Sequence, residues 1–171
     1  MGQKADGPNT LAYTYDRAER PTEVREVNQG NRLLKKMTYA TSNVGCGWCN
    51  AKLQQASRWN YVTIGATPFT VEIRELLQYN GIEGRASNRT TQNYVGNATT
   101  PNEAFTFSQT YTPLGLPLKI TYPQCQQAAC TNPAQRTADF TYTDGQLTAV
   151  AGTVVPRRPS PRRTPARSAT T

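Results

Sequence analysis

Residues 140–147 read Phe-Thr-Tyr-Thr-Asp-Gly-Gln-Leu. Aromatic and polar residues alternate as far as Asp144-Gly145, and a second run with strand character follows. An Asp-Gly pair between two such runs is typical of a β-hairpin, because a type I′ turn needs positive φ at both of its central residues. This stretch therefore predicts a tight antiparallel hairpin.

The same period-two alternation recurs upstream of that hairpin. The apolar or aromatic positions of these runs are Leu11, Tyr13 and Tyr15, then Phe69, Val71, Ile73, Leu77 and Tyr79, then Phe105, Phe107 and Tyr111, and finally Leu116, Leu118, Ile120 and Tyr122. Polar residues fill most of the positions between them, as in strands with one buried and one wetter face. A helix over 68–81 is the alternative for the second run, but the alternation favours a strand, with only Leu76 on the wrong face.

Turn-forming residues separate the runs. They include Asn28-Gln29-Gly30-Asn31, Asn80-Gly81 and Pro113-Leu114-Gly115, which supply the positive-φ or Pro-fixed positions that chain reversals need. We predict an all-β protein, an antiparallel β-hairpin array of about eight to ten strands. The expected organisation is an N-terminal extension over 1–10, a repeat region over 11–150 and a tail over 151–171.

Charge divides the chain in the same way. The net charge is +8, from 19 basic and 11 acidic residues. The tail holds five Arg and no acid, which leaves 19 − 5 = 14 basic and 11 acidic residues, or +3, for the rest. Because the tail is rich in Arg and Pro and poor in large apolar residues, it cannot bury enough surface to offset its ordering entropy, and we expect it to be disordered.

Composition also narrows the function classes. The chain contains no His, which excludes Ser-His-Asp and Cys-His nucleophile systems, and we expect a non-enzymatic protein that needs no cofactor. No run of about 18 apolar residues is present, so no membrane span is predicted. The first ten residues lack the pattern of a signal peptide.

One motif recurs along the chain: an aromatic strand end, a short turn containing Gly, Pro or Asp, and a new strand. The positions that carry it are Tyr15, Asp16 and Arg20; Tyr79, Gly84 and Arg85; Tyr111 and Gly115; and Tyr142, Asp144 and Gly145. The copies are degenerate, since Glu19 stands where Gly is usual and Leu116 stands where Arg is usual. In this style the chain resembles RHS-repeat, or YD-repeat, proteins, whose repeat reads roughly Tyr-Asp-x-x-Gly-Arg-Leu before a β-run.

That resemblance implies a structural role. RHS-repeat proteins form long antiparallel sheets that spiral into a hollow shell, often around a toxin, and they are usually secreted or exposed at the cell surface. The resemblance therefore implies that this chain is a fragment or a truncated member, located outside the cell as part of a larger protein. Its expected partners are further repeats of the same or a neighbouring chain.

Four Cys fall in two pairs, Cys46 with Cys49 and Cys125 with Cys130. Local disulfides or free thiols in hairpin loops are the favoured interpretation. A four-thiolate zinc site remains an alternative, although Cys49 and Cys125 are 76 positions apart. A thioredoxin-type redox motif is a weaker alternative, because no βαβ pattern surrounds it.

Two other functions stay open. Trp48, Trp59 and Tyr61 could stack on a carbohydrate, although strand aromatics more often pack in a core or across strands. The basic tail could bind nucleic acid, but it lacks interleaved aromatics and a recognition fold, so nucleic acid is not the expected partner. Residues 82–85, Ile-Glu-Gly-Arg, match the recognition sequence of the clotting protease factor Xa.

Overall fold

The computed structural model describes residues 2–6, 9–80, 82–124 and 135–153. They form one 11-stranded antiparallel sheet in which every strand lies beside its neighbours in the sequence. The strands are β1 Gly2–Asp6, β2 Asn9–Tyr15, β3 Pro21–Glu26, β4 Arg32–Tyr39, β5 Leu53–Ile64, β6 Thr67–Gln78, β7 Asn88–Val95, β8 Glu103–Tyr111, β9 Pro117–Thr121, β10 Thr137–Thr143 and β11 Gln146–Gly152. The predicted all-β array of antiparallel hairpins is confirmed.

Two details differ from the sequence prediction. The sheet has 11 strands, more than the eight to ten expected, and β1 lies in the segment predicted to be an extension. Its pairing with β2, from Gly2 opposite Tyr13 to Asp6 opposite Asn9, makes residues 2–6 part of the sheet. The polarity of those residues hid the strand, because an end strand can be stabilised by pairing on one side without an apolar run of its own.

The strand predicted over residues 69–79 is confirmed as β6, and the helix alternative is wrong. Leu76 lies opposite Gln55 and Thr90, so it does occupy the more polar face. The Asp-Gly hairpin is confirmed as well, since Asp144 and Gly145 have φ of 52° and 79°. Beyond two short 3₁₀ turns, Val27–Gln29 and Ile82–Gly84, the described residues contain no helix.

Cross-strand register sorts the side chains onto two faces. Val71 pairs with Val95, Thr91 with Phe105, and Phe140 with Val150; we call the side to which these residues belong the apolar face. Large exposed side chains on it include Val62, Phe69, Val95, Phe105, Leu118 and Val150. The opposite, polar face carries pairs such as Thr90 and Thr106, whose Oγ1 atoms lie 3.0 Å apart.

No second layer of described residues covers either face, since every described strand belongs to the one sheet. The fully buried side chains are therefore few. Among the described residues, the buried hydrophobic cluster consists of Ala40, Cys46 and Cys49, with Tyr79 packed against it. It lies at one end of the strands, where the loop between β4 and β5 meets the end of β6.

The boundary predicted for the tail is wrong by two residues, because Ala151 and Gly152 pair with β10 and belong to β11. Residues 154–171 lie outside the described residues, so the predicted disorder of the rest of the tail is not addressed by the structure. Within the described segments, the structure contains no helix with the length and apolar character that a membrane crossing requires.

Candidate functional site

The turns that follow β2, β4, β6, β8 and β10 all lie at the same end of the strands, which we call the ladder side of the sheet. Three of these turns share one backbone hydrogen-bond frame. In each frame the residue that opens the turn donates its N–H to the carbonyl of the residue that closes it, and its own carbonyl accepts from the N–H of the residue before the closing one. The bonds are Asp16 to Arg20 and Glu19 to Asp16 (3.0 and 3.1 Å), Ala40 to Lys52 and Ala51 to Ala40 (2.9 and 2.8 Å), and Thr112 to Leu116 and Gly115 to Thr112 (2.8 and 2.9 Å), with the donor given first. Two copies of the sequence motif, those at Tyr15 and Tyr111, therefore share their turn geometry with the turn that follows Tyr39.

The same position in each of these turns has a left-handed backbone. Glu19, Ala51 and Gly115 have φ of 59°, 63° and 75°. Only Gly adopts this conformation without a steric cost, which is about 1 kcal/mol for other residues. Glu19 therefore occupies the glycine position of the repeat with its geometry intact, and the departure from the motif is chemical rather than structural.

Side chains link each of the first three turns to the next. We call each link a rung and the series of rungs the ladder. In each rung a cationic side chain at the end of one turn lies over the tyrosine ring of the next turn. That tyrosine donates its hydroxyl proton to the backbone carbonyl of the residue that follows the cationic residue. The cation-to-ring distances are 4.1 Å for Arg20 and Tyr39, 4.9 Å for Lys52 and Tyr79, and 5.8 Å for Arg85 and Tyr111. The hydroxyl bonds are Tyr39 to Pro21 at 3.2 Å, Tyr79 to Leu53 at 2.7 Å and Tyr111 to Ala86 at 2.7 Å.

Each rung joins two hairpins that are neighbours in the sheet. A cation over a tyrosine ring contributes about 0.5–1 kcal/mol at an exposed site, and a hydroxyl-to-carbonyl hydrogen bond contributes about 1 kcal/mol. Such links fix the position of one hairpin relative to the next. That matters in a sheet that no second layer of described residues covers, because the backbone hydrogen bonds between strands are then the main other connection.

The first turn is additionally braced by Asp16. Its Oδ1 accepts protons from the Ala18 and Arg20 backbone N–H groups at 2.8 and 3.0 Å, and its Oδ2 accepts from Arg20 Nε at 2.8 Å. These bonds, those from Arg20 above all, hold the pKa of the Asp16 carboxyl below its usual range. In the fourth turn the Thr112 hydroxyl has the corresponding backbone role, accepting a proton from Leu116 N–H at 3.1 Å.

The ladder stops at the fourth turn. Leu116 occupies the position of the cation, and among the described residues no cation lies over the Tyr142 ring and no hydrogen bond involves the Tyr142 hydroxyl. The backbone nevertheless keeps the repeat, because Tyr142 lies opposite Leu147 across a register shift, as Tyr111 lies opposite Pro117. The final hairpin therefore has the motif without a rung.

One further rung lies at the opposite end of the strands from the ladder side. Arg32 lies 4.8 Å from the Tyr61 ring centre, and the Tyr61 hydroxyl donates to the Leu33 carbonyl at 2.8 Å. The guanidinium thus occupies one face of a ring that the sequence suggested for carbohydrate stacking. Trp59 shares a strand with Tyr61, whereas Trp48 lies in the loop between β4 and β5, so the structure does not place the three on one strand.

The sequence motif missed one turn of the series altogether, the turn between β4 and β5. Tyr39 and Lys52 were not recognised as repeat positions, because residues 41–50 separate Tyr39-Ala40 from Ala51-Lys52. The detectable signal is a tyrosine at the end of each strand that enters the ladder side: Tyr15, Tyr39, Tyr79, Tyr111 and Tyr142. The cationic residue of this turn, Lys52, is hard to detect in the sequence because residues 41–50 separate it from Tyr39.

That insertion, residues 41–50, is held by a disulfide between Cys46 and Cys49, and we call it the disulfide loop. Both cysteines are buried, with exposed fractions of 2% and 0%. The loop lies along the end of β6, where Tyr79 N–H donates to the Cys46 carbonyl at 2.8 Å and Trp48 N–H donates to the Tyr79 carbonyl at 2.9 Å. Trp48 itself is 66% exposed.

The second cysteine pair, Cys125 and Cys130, lies outside the described residues, so the four-thiolate zinc alternative is not addressed. Among the described residues, no group of three or more Cys, Asp or Glu side chains is arranged to hold a metal ion. Burial raises the pKa of Tyr79, whereas the pKa of Arg74 is raised by its hydrogen bonds with Glu72. Both groups stabilise neighbouring strands, and neither lies in an enclosed reaction site.

A scan against protein-family models returns no match for this chain, and a search of curated proteins returns none either.

Proposed function

We propose that this chain is a structural β-repeat segment of a larger secreted or cell-surface assembly of the RHS/YD type, of the kind that encloses or presents a toxin or effector. The observation that carries the proposal is the ladder. Three successive rungs, which join four hairpins, repeat one arrangement of cation, carbonyl and tyrosine although the turn sequences differ. A repeated link between neighbours is what an extended array requires, because each unit contacts only the next one.

The two faces of the sheet support the same role. An antiparallel sheet usually covers its apolar face with a second layer, and here that face leaves Val150 58% exposed and Val62 and Leu118 each 45% exposed. In a longer array that face would line an interior. The partners that fit are further repeats, either of a longer chain or of a neighbouring one, which would also pair with the open edges of β1 and β11.

The proposal predicts that the isolated chain self-associates through its apolar face and strand edges. Sedimentation velocity should show concentration-dependent oligomers that persist at high salt, because burial of apolar surface is not screened by ions. A monomer that melts in one two-state transition above about 65 °C, the upper end for mesophile domains, would contradict the proposal. Such a result would indicate a self-sufficient domain.

Two single substitutions in β11 separate the apolar face from the strand edge. Val150 lies opposite Phe140 on the apolar face, and Ala149 lies opposite Thr141 on the polar face. Val150→Lys should weaken self-association severalfold, whereas Ala149→Lys, which puts the same charge on the same edge strand, should weaken it much less. Equal effects of the two substitutions would show that the apolar face takes no part.

A further inference from the structure

The disulfide loop covers the turn between β6 and β7, which contains the sequence Ile82-Glu83-Gly84-Arg85. We propose that the Cys46–Cys49 disulfide acts as a redox-controlled clamp on this turn. While it is intact, the Arg85–Ala86 peptide bond is protected from proteolysis, and its reduction by a dithiol opens the turn. This inference does not depend on the RHS/YD assignment.

The contact between the loop and the turn is close. A Cβ atom placed on Gly84 would lie 2.9 Å from Trp48 Cβ and 3.2 Å from the Trp48 carbonyl oxygen. On the other side of the contact, a Cβ on Gly47 would lie 2.8 Å from the Tyr79 carbonyl oxygen. Both glycines are therefore required by the fit of the loop against the turn.

Hydrogen bonds join the same two segments. Gly47 forms a parallel bridge with Tyr79, and Lys52, two residues after the disulfide loop, donates a proton from Nζ to the Gly84 carbonyl. The Cys46 carbonyl accepts a hydrogen bond from Tyr79 N–H, so one of the two cysteines contacts, through its own backbone, the residue that follows β6. Release of the loop would remove these bonds together.

The chain before the Arg85–Ala86 bond has a backbone conformation that does not fit the active site of a protease. Proteases bind an extended chain, but Glu83 and Gly84 have φ of 57° and 68°. Arg85 lies over the Tyr111 ring, and the carbonyl of Ala86 accepts the Tyr111 hydroxyl proton at 2.7 Å. Cleavage after Arg85 therefore requires the turn to open first, and its rate reports the population of the open state.

The redox step is thiol–disulfide exchange. A dithiol transfers two electrons and two protons to the Cys46–Cys49 pair, the S–S bond breaks to give two thiols, and the dithiol becomes a disulfide. Because both cysteines are buried, the exchange proceeds through a transient opening of the loop. Without the cross-link, the open loop gains conformational entropy, which for a ring of this size increases the open population about 20-fold.

The test uses factor Xa as the probe, on the full chain carrying Cys125→Ser and Cys130→Ser, so that only one cysteine pair remains. One sample stays oxidised. A second is reduced with dithiothreitol, alkylated with iodoacetamide and desalted before the protease is added, which protects the protease's own disulfides. The reduced sample should be cut after Arg85 at least about tenfold faster than the oxidised one. Equal cutting rates would overturn the proposal.

Two further variants make the result specific. Cys46→Ser/Cys49→Ser lacks the disulfide without carrying an alkyl group, and it should be cut quickly with or without reductant. Tyr111→Phe keeps the disulfide and removes only the hydroxyl bond to Ala86, so its cutting rate should still rise on reduction. If the double serine variant does not fold, hydrogen exchange of residues 79–87 in the reduced chain decides the matter, because unchanged protection there would also overturn the proposal.

Discussion

The turns after β4 and β10 lie on the same side of the sheet and show two different ways of closing a hairpin. The β10–β11 turn is two residues long, and its geometry follows from Asp144-Gly145 alone. The β4–β5 turn spans residues 40–52, contains the disulfide loop and packs against Tyr79 of the next hairpin. Every residue of β11 is exposed, whereas the β4–β5 turn contributes Ala40, Cys46 and Cys49 to the buried cluster.

The difference separates two kinds of stability. Turn chemistry forms a hairpin locally, and it needs no neighbour to do so. Rungs and the disulfide loop connect hairpins, and they depend on residues about 30 positions apart in the sequence, such as Lys52 and Gly84. We therefore expect substitutions at Tyr79 to destabilise the array and equivalent substitutions at Tyr142 to have small, local effects.

Replacement of Tyr79 by Ala should give the largest effect. The substitution removes the ring that packs on Cys46 and Cys49, the partner of Lys52 and the hydroxyl bond to Leu53, and should lower the free energy of unfolding by about 3 kcal/mol. The matched variant Tyr142→Ala should cost no more than about 1 kcal/mol, because that tyrosine has no rung. Urea unfolding followed by circular dichroism measures both. Similar losses would contradict the distinction between the two turns.

Raising the pH should have an effect of intermediate size on the contribution of Tyr79 to stability. Burial raises the pKa of Tyr79 in the folded chain, so its contribution to stability is fully present below about pH 10, the ordinary tyrosine pKa, and is lost as the pH rises through the higher folded-state pKa. Tyr79→Phe should cost about 1 kcal/mol at pH 8 through the lost bond to Leu53. The gap between wild type and Tyr79→Phe should narrow from pH 8 to pH 11 in urea unfolding; a constant gap would refute this account.

The smallest effect is expected from building the missing rung. Leu116→Arg places a cation where the ladder lacks one and should stabilise the chain by about 0.5 kcal/mol through the Tyr142 ring. Leu114→Arg, at the 79% exposed tip of the same turn, adds the same charge without reaching the cation position and serves as the control. In a double-mutant cycle the gain from Leu116→Arg should disappear with Tyr142→Ala. A gain that survives there would have another cause.

Periodicity alone was enough to predict the class of fold and most of its strands. Alternation along Phe69, Val71, Ile73 and Leu77 identified β6, because side chains in a strand point to opposite faces in turn. The Asp144-Gly145 turn was equally readable, since its geometry depends on two adjacent residues. The β1 strand was missed, because residues 2–6 take their order from β2 rather than from an apolar pattern of their own.

The candidate site divides in the same manner. The sequence by itself identified most of the tyrosines, the turn glycines and two of the cations, Arg20 and Arg85, because the residues of each motif copy lie within a few positions of one another. Only the tertiary structure decided that Arg20, Lys52 and Arg85 each meet the tyrosine of the following turn, and that Tyr39 and Lys52 belong to the series. It also decided that the disulfide loop lies on the turn containing Gly84. These contacts join separate hairpins, and their geometry depends on the register and spacing of strands in the assembled sheet, which no local pattern encodes.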